Sequence, residues 1–344
     1  MKQLLNTLFV NQDTAYLALD GENVVVQKDN EVLARFPLHN FEQITTFGYV
    51  GASPALMRKC AENNISLTFM SPSGKFMARV IGETNGNVLL RKAQYRLSDD
   101  ELSASLDIAR NFIIGKIYNA KWVVSRTCRD NPLRVNVEQL QKVIGQLDGY
   151  LQSIMKANNL DEIRGIEGKS AVAYFSVFDT MILNQKQEFF FTERNKRPPL
   201  DNMNCLLSFL YALLANDVAS ALEGVGLDSY VGFLHRDRPG RASLALDMME
   251  EFRPILADRI AFTLVNRKQV KANGFTKKEN GAVLMNDDMR KIVLTAWHDH
   301  KEETIIHPFL EEKVKWGLVP HVQAMLLARF IRGDLDGYPP FLWK

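Results

Sequence analysis

Alternating apolar and polar positions dominate roughly the first 80 residues of the chain and predict a β-rich start. Asp20-Gly21 is a tight-turn signal between two such segments, and Ser71-Pro72-Ser73-Gly74 is another. One helix interrupts the pattern, with Ser53 as its cap, Pro54 in its first turn and an end near Glu62. The predicted strands span residues 16–20, 23–27, 32–36, 41–47, 65–70 and 75–80.

Apolar positions recur at helical spacing through the rest of the chain. Residues 106–126 show it clearly, with polar and basic side chains on the opposite face of the predicted helix. Further helices are predicted over residues 137–157, 167–183, 203–221, 244–266, 287–297 and 313–332. The pattern therefore predicts an α+β fold, with a small N-terminal β-rich domain followed by a larger all-α C-terminal domain.

Glycine, asparagine and threonine cluster at residues 82–87, which favours a connection between domains. We predict an N-terminal domain over residues 1–85, a linker over 86–100 and a helical domain over 101–344. The length of 344 residues agrees with two domains.

Composition excludes several classes of protein. The net charge is +2, from 42 Lys+Arg against 40 Asp+Glu, so any affinity for DNA must come from local basic patches. The three cysteines are far apart, which argues against a disulfide framework or a thiolate zinc site. The sequence contains no run of about 18 apolar residues and no cleavable leader pattern. We therefore expect a cytoplasmic protein with no membrane partner.

Glu167 stands between glycines in the segment Arg164-Gly165-Ile166-Glu167-Gly168-Lys169-Ser170, where the pattern predicts that a helix begins. The glycines would let another backbone or a ligand approach closely, and a helix N-terminus stabilises a carboxylate. Glu167 is therefore a candidate functional residue. The alternative is an acidic residue that only helps the helix to start.

His235 ends a short apolar segment and precedes a turn at Pro239-Gly240. The turn carries three arginines within six positions, which suits a phosphate or a phosphate-bound metal ion. The alternative is a solvated basic turn with an incidental histidine. These arginines are Arg236, Arg238 and Arg241.

Asp247 and Glu250 are three positions apart in the predicted helix 244–266, so they are expected to share one face. Two carboxylates on one face could bind a cation. The alternative is an ordinary acidic helix surface. On this pattern, Glu251 and Arg253 point elsewhere.

Glu167, His235 and the Asp247/Glu250 pair together offer one imidazole and two or three carboxylates, which suit Mg²⁺ or Mn²⁺ better than zinc. The residues alone indicate a metal-dependent hydrolase or phosphotransferase. Basic positions outside the acidic set fit phosphate contacts, although basic surface is usually only solvated. The candidate DNA contacts are Lys169, Arg197, Arg238 and Arg241.

Five segments in order resemble one known family. Gly165-Ile166-Glu167-Gly168 with Tyr174-Phe175, then residues 197–211, 226–235 and 247–254, and finally 307–341, resemble the CRISPR-associated protein one, the spacer-acquisition integrase, and most of all its type I-C members. The resemblance covers nearly the whole chain. It implies that Glu167, His235 and Glu250 bind the metal ion and that Asp247 supports catalysis. The last ligand is Asp in some members and Glu here.

The resemblance also implies partners and a reaction. Members form a homodimer through the N-terminal β-domain, carry the active site in the helical domain, and assemble with the small ferredoxin-like CRISPR-associated protein two. The expected activity is a metal-dependent DNA endonuclease and integrase. A 3′-hydroxyl of captured double-stranded DNA attacks a phosphodiester of the repeat array, and with water the same site cuts branched DNA. Two alternatives stay open: a structure-specific nuclease without integration, and a non-enzymatic DNA-bridging scaffold.

Overall fold

The computed structural model describes residues 7–12, 14–29, 31–82, 88–99, 104–236 and 238–343. In chain order the strands are β1 Thr7–Val10, β2 Tyr16–Asp20, β3 Asn23–Lys28, β4 Glu31–Pro37, β5 Gln43–Phe47, β6 Gly51–Ala52, β7 Ser66–Met70, β8 Phe76–Val80, β9 Phe275–Lys277, β10 Val283–Met285, β11 Thr304–Ile306 and β12 Lys313–Lys315. The helices are α1 Pro54–Glu62, α2 Val88–Asp99, α3 Ala104–Asp130, α4 Val137–Ile154, α5 Leu160–Ser176, α6 Asn202–Gly224, α7 Ser243–Met249, α8 Arg259–Asn266, α9 Asp287–Glu302 and α10 Val319–Ile331.

The chain divides into two compact units. The first comprises residues 1–85, 285–303 and 315–318, and the second comprises 86–284, 304–314 and 319–344. The mixed α+β class predicted from the sequence is confirmed. The second unit is not wholly helical, however, because two short hairpins, β9/β10 and β11/β12, interrupt its helices.

Two four-stranded sheets form the first unit, in the orders β1-β5-β7-β8 and β4-β3-β2-β6. The predicted turn at Asp20-Gly21 joins β2 to β3, which pair in antiparallel register from Tyr16↔Gln27 to Asp20↔Asn23. Gly21 has φ +59°, a value that glycine adopts without steric cost. The Ser53 side chain caps α1 by accepting from the Leu56 N–H at 3.2 Å, as predicted. The sequence pattern did not predict β1 and β6, which are too short to show clear alternation.

Helix α9 belongs to the first unit, although its sequence lies far from the N-terminal strands. The Arg290 guanidinium lies 6.0 Å from the centre of the Phe47 ring, and Asn11 Nδ2 donates to the Asp287 carbonyl at 3.1 Å. The sequence-based division placed residues 101–344 in one domain. It differs from the structure because an apolar helix face shows that a helix is buried, but not against which core.

The predicted linker, residues 86–100, holds helix α2 over its described part and belongs to the second unit. Gln94 is fully buried there, and its Nε2 donates to the carbonyls of Asp228 and Val231 at 2.8 Å each. Residues 86, 87 and 100 lie outside the described residues. Residues 88–99 are therefore a helix of the second unit and not a linker, because the loop-like composition ends at residue 87.

Helix α6 forms the centre of the second unit, with fourteen of its side chains buried. Asp201 caps it by accepting from the Asn204 N–H at 2.7 Å. By length and composition α6 could cross a membrane, but 67% of its most apolar stretch is buried within the protein. That degree of burial is typical of a core helix.

Two predicted helices are shorter than expected. Residues 244–266 form α7, then a π-helical turn at Arg253–Asp258, and then α8. Pro254 has no N–H to donate and its ring crowds the preceding turn, so one continuous α-helix was the wrong prediction. In residues 313–332, β12 and a 3₁₀ turn come first, and α10 begins only at Val319 with Pro320 in its first turn.

Candidate active site

A cavity of about 250 Å³ in the second unit gathers most of the predicted site residues. It holds all three predicted metal ligands and two of the four predicted DNA contacts. Lys169 and Arg197 are exposed and do not line it, and Asp247 is fully buried beneath it. The lining residues are Arg164, Glu167, Leu234, His235, Arg236, Arg238, Arg241 and Glu250.

Glu167 lies in the interior of α5 and not at its start. Asn159 caps the helix by accepting from the Glu162 N–H at 2.9 Å, so α5 begins at Leu160. The predicted stabilisation of Glu167 by the helix N-terminus is therefore wrong, because that effect fades within the first turn. Beyond the helix's own backbone, no heavy atom of the described residues lies within 4 Å of a Cβ placed at Gly165 or Gly168. No other part of the described chain packs closely against these glycines, and the Glu167 side chain is 30% exposed.

The Lys116 ammonium joins the carboxylates of Glu167 and Glu250. Its Nζ forms an ion pair with Glu167 Oε1 and lies 2.7 Å from Glu250 Oε2. Lys116 comes from α3 and Glu167 from α5, and Glu250 directly follows α7. Packing of these helices thus brings two acidic side chains from separate parts of the chain to one positive charge.

Glu250 is 8% exposed and has a second cationic partner. Arg253 Nη1 donates to both of its carboxylate oxygens, at 2.7 and 3.0 Å. Burial raises the pKa of Glu250, but the charges of Arg253 and Lys116 outweigh burial and bring its pKa down to about 2. Glu250 is therefore ionised throughout the neutral range. The prediction that Arg253 points away from the acidic residues is wrong, because the turn after α7 brings it back to Glu250.

Asp247 organises the segment that carries His235. Its Oδ2 accepts from the N–H groups of Phe233 and Leu234, at 2.7 and 2.9 Å, and its Oδ1 accepts from the His235 N–H at 3.0 Å. The His235 Nδ1 atom lies 2.5 Å from the same Oδ1. Because the fully buried Asp247 is used in this way, it does not share a cation-binding face with Glu250, as the three-residue spacing had suggested. Asp247 instead orients the imidazole, with Nδ1 donating and Nε2 left as an acceptor.

Two further residues hold this segment in place. A Cβ at Gly232 would lie 2.7 Å from Asp247 Oδ2 and 2.8 Å from Ser243 Cβ, so only glycine fits there. The Arg164 guanidinium donates from Nε and Nη2 to the Leu234 carbonyl, at 2.9 and 2.7 Å. The conformation around His235 is thus fixed from both sides before any ligand binds.

An aromatic and acidic network supports Arg253 from behind. Its guanidinium lies 4.3 Å from the centre of the Tyr211 ring, a cation–π distance. The hydroxyls of Tyr211 and Tyr174 donate to the two oxygens of the buried Asp258, at 2.6 and 2.9 Å. Burial raises the pKa of Asp258 to about 6, although the tyrosine hydroxyls and Arg253 oppose the rise. Arg253 is therefore held rigidly against Glu250.

The residues in the cavity fit a divalent cation by their donor chemistry. Two carboxylates already converge on one positive charge, and the oriented His235 leaves its Nε2 lone pair available. Oxygen donors with one imidazole suit Mg²⁺ or Mn²⁺. Over the described ranges no three His, Cys, Asp or Glu side chains form a ready metal-binding group, and the Lys116 ammonium contacts both carboxylates.

Lys116, Arg164 and Arg253 were not singled out from the sequence. Lys116 did leave a signal, since it lies one helical turn after Phe112 and one before Ala120, on the buried face of α3. A lysine on an apolar face requires a charged partner. For Arg164 and Arg253 we find no signal in the sequence beyond their closeness to Glu167 and Glu250.

The family model of the CRISPR associated protein Cas1 matches residues 8–299 of the chain. The CRISPR-associated endonuclease Cas1 1 of Chlorobaculum tepidum is 48% identical over 344 residues, and the Cas1 2 of Rhodospirillum rubrum is 47% identical over 348. Both matches cover the whole of each chain.

The chain belongs to the Cas1 family. The family predicted from the five sequence segments is confirmed, and the protein is an endonuclease of this family. Membership of the Cas1 family implies a dependence on a divalent metal ion, without naming which one.

Solved structures share the Cas1 fold at low sequence identity. A Cas1 protein from Thermotoga maritima superposes with a TM-score of 0.82 at 21% identity, over 97% of this chain and 99% of that one. A casposase bound to an integration product gives 0.85 at 21% identity, over 98% and 94%. A Cas6-RT-Cas1–Cas2 complex gives 0.83 at 21% identity, and this chain spans 36% of the matched chain.

Proposed function

We propose that the cavity is a single divalent-metal site that carries out phosphoryl transfer on DNA during spacer acquisition. Glu167, Glu250 and Nε2 of His235 would hold Mg²⁺ or Mn²⁺. The observation that carries the proposal is the convergence of two carboxylates, from separate helices, on one positive charge beside an oriented histidine in an arginine-lined cavity. A divalent cation bound there supplies stabilisation of the negative charge that builds on the phosphoryl oxygen.

Other residues of the chain position the proposed ligands and bind DNA phosphates. Asp247 fixes the tautomer and orientation of His235 through the 2.5 Å contact at Nδ1. Arg238 and Arg241 line the cavity and can hold DNA phosphates by charge-assisted hydrogen bonds. Lys169 and Arg197 lie outside the cavity, so any contact with DNA would be farther along the strand. Asp247 is therefore a positioning residue, and the arginines are binding residues.

The reaction that we propose is strand transfer. A 3′-hydroxyl oxygen of captured DNA attacks a phosphorus of the repeat, a new P–O bond forms, and the bond to the leaving 3′-oxygen breaks. The attacking hydroxyl loses a proton and the leaving oxygen gains one, so the transfer is balanced. With water as the attacking group, the same arrangement hydrolyses branched DNA.

Assembly is part of the same proposal. The fold shared with a Cas6-RT-Cas1–Cas2 complex and with a casposase bound to an integration product supports a Cas2 partner and DNA integration for this chain. The expected partner is the small ferredoxin-like CRISPR-associated protein two, acting with this chain in the cytoplasm. The second unit would then be the catalytic domain, because every residue of the cavity lies in it.

The first unit is the proposed dimerisation domain. Edge strand β4 exposes apolar side chains, with Val32 54% and Leu33 51% exposed, and edge strand β8 exposes Phe76 and Met77, at 46 and 48%. Unpaired apolar edge strands favour association with another chain. A homodimer through this unit would cover them.

The proposal is tested by measuring strand transfer by the His235→Ala and Glu167→Gln variants. A labelled DNA duplex with a 3′-hydroxyl donor and a repeat-containing target are incubated with the chain, the partner and Mn²⁺. Both variants should lose strand transfer and nicking yet remain folded and dimeric, because an alanine or an amide is a poor ligand for a hard cation.

Lys142→Gln is the control, because it changes an exposed residue of α4 outside the cavity. Full activity of His235→Ala, with contaminating metal removed, would overturn the site assignment. A donor that lacks its terminal 3′-hydroxyl separates integration from hydrolysis, because it cannot attack the repeat while water still can. Cleavage without any joining in the native chain would favour a structure-specific nuclease, and DNA binding without metal-dependent cleavage would favour a scaffold.

A further inference from the structure

Lys116 is the unusual element of the cavity, because the proposed metal site already contains a positive charge. Its side chain is 11% exposed and its ammonium contacts both Glu167 and Glu250. An ammonium on the buried face of a helix is unfavourable unless it is paired. The two carboxylates provide that pairing, and the lysine in turn holds them together.

The two carboxylates depend on Lys116 to different degrees. Glu250 keeps two hydrogen bonds from Arg253 in addition to its contact with Lys116. For Glu167, Lys116 is the one ion-pair partner among the residues that the structure describes. A divalent ion held by both carboxylates would need the oxygen atoms that now face the ammonium.

We propose that the Lys116 ammonium is a built-in competitor of the divalent metal ion. It holds Glu167 and Glu250 together while the metal is absent, and it must give up at least one carboxylate when the metal binds. This inference rests on the proposed function, in which the same two carboxylates are metal ligands. It follows that Lys116 weakens metal binding by the native chain while it stabilises the metal-free fold.

Displacement of Lys116 would also couple the metal to DNA. Four arginines and two glutamates line the cavity, so an added divalent ion increases an existing excess of positive charge. A DNA phosphate offsets that excess, and the freed ammonium can pair with it as a point charge. Because coupling between two ligands is reciprocal, metal and DNA should each raise the affinity for the other.

Lys116→Met tests the competition directly, because methionine keeps the apolar length of the side chain and removes the charge. Mn²⁺ binding to the full chain is measured by electron paramagnetic resonance of the free ion, without DNA. The variant should bind Mn²⁺ roughly tenfold more tightly, since a charge-assisted contact no longer has to be broken. Its metal-free melting temperature should fall, and Mn²⁺ should raise that temperature more than in the native chain.

Lys121→Met is the matched control. Lys121 lies on the same helix, and its Nζ lies 2.6 Å from Asp148, outside the cavity. That variant should bind Mn²⁺ as the native chain does. Equal or weaker Mn²⁺ binding by Lys116→Met than by Lys121→Met would overturn the inference.

Glu167→Gln and Glu250→Gln test the proposed metal ligands separately from the competition by Lys116. If the native chain binds Mn²⁺ and both glutamine variants lose that binding, the proposed ligands are supported, and Lys116→Met alone decides the inference. If both glutamine variants bind Mn²⁺ as tightly as the native chain, the proposed ligand set fails, and the competition fails with it.

Discussion

His235 Nδ1 lies 2.5 Å from Oδ1 of Asp247, a carboxylate with no solvent exposure that also accepts three backbone N–H groups. The oriented imidazole and the loop that carries it thus depend on one side chain. A histidine with one ring nitrogen donating to a buried carboxylate keeps the other free as a ligand in a fixed direction. The direction of the histidine ligand is therefore set before metal or DNA arrives.

Asp247→Asn should lower Mn²⁺-dependent nicking by about 10- to 100-fold. The amide offers one acceptor oxygen in place of two, so its NH₂ group must face either the backbone donors or the imidazole. Loss of these buried hydrogen bonds should also lower the free energy of unfolding by about 2 kcal/mol. Mn²⁺-dependent nicking and urea denaturation measure the two effects. Asp228→Asn, which changes an acidic residue outside the cavity, should leave nicking at the native level.

Alanine at Gly232 and at Gly168 should have opposite effects on stability. At Gly232 the new Cβ would lie within 3 Å of Asp247 and Ser243, so the segment must move and activity should fall as in Asp247→Asn. At Gly168 there is open space within an α-helix, so alanine should stabilise the protein by about 0.5–1 kcal/mol. Thermal unfolding and strand transfer are measured for both. Normal activity of Gly232→Ala would contradict the proposed role of Asp247, and lost activity in a stable Gly168→Ala would show that DNA needs the space beside Glu167.

Substitution of basic residues by glutamine should separate chemistry from DNA affinity. Arg238 and Arg241 line the cavity, whereas Arg197 and Lys169 do not. Each substitution that removes a phosphate contact should reduce the slope of log affinity against log salt by about 1. Arg238→Gln and Arg241→Gln should in addition slow strand transfer at saturating DNA. Fluorescence anisotropy over a salt series and single-turnover rates measure the two properties, and unchanged rates for both cavity variants would contradict their proposed position at the reacting phosphate.

Leu33→Asp should weaken the proposed homodimer. Leu33 is 51% exposed on the edge strand β4, and a carboxylate buried at an interface without a partner is strongly unfavourable. Sedimentation velocity should show a larger monomer fraction for this variant than for the native chain. Leu133→Asp, at a position 99% exposed after α3, is the control and should sediment as the native chain does. Equal dimer fractions in all three proteins would place the interface elsewhere.

The sequence singled out residues that lie together in the structure, but it predicted their surroundings less well. Glu167, His235 and Glu250 were selected through the resemblance of the ordered segments to the family. All three line one cavity. The predicted surroundings of the acidic residues were partly wrong. Glu167 lies inside α5 and not at its start, and Asp247 faces the backbone of residues 233–235 and not a cation site. Spacing along a helix shows which side chains share a face. It does not show which of them will find backbone donors in a distant loop.

The partners of Lys116 could not be predicted from the sequence alone. Its place on the apolar face of α3 marks it as paired, but its partners lie on other helices and depend on tertiary packing. The same reason explains why α9 was predicted in the wrong domain. Its apolar face was evident from the sequence, but the core against which that face packs was not. Periodicity thus predicts elements, and the assignment of elements to cores requires long-range contacts that local pattern does not encode.

Glu251 should make the stability of the protein fall as the pH rises. Its Oε2 accepts from Gln323 Nε2 at 3.1 Å and from the Phe341 N–H at 3.2 Å, which ties the C-terminal segment to the core. Burial raises the pKa of Glu251 to about 8, although hydrogen bonds from Tyr338, Phe341 and Gln323 oppose the rise. Between the ordinary value of 4.5 and about 8, the folded state holds a proton that the unfolded state has lost.

The free energy of unfolding contributed by Glu251 should therefore decline through that window, by up to about 1.4 kcal/mol per pH unit, and level off above it. Glu251→Gln mimics the protonated carboxyl and should remove the decline. Urea denaturation at pH 5.5, 6.5 and 7.5 measures the difference between the variant and the native chain, which should grow with pH in favour of the variant. Glu138→Gln, at an exposed position of α4, is the control. A difference for Glu251→Gln that stays constant with pH would show that the buried carboxyl is already ionised at pH 5.5.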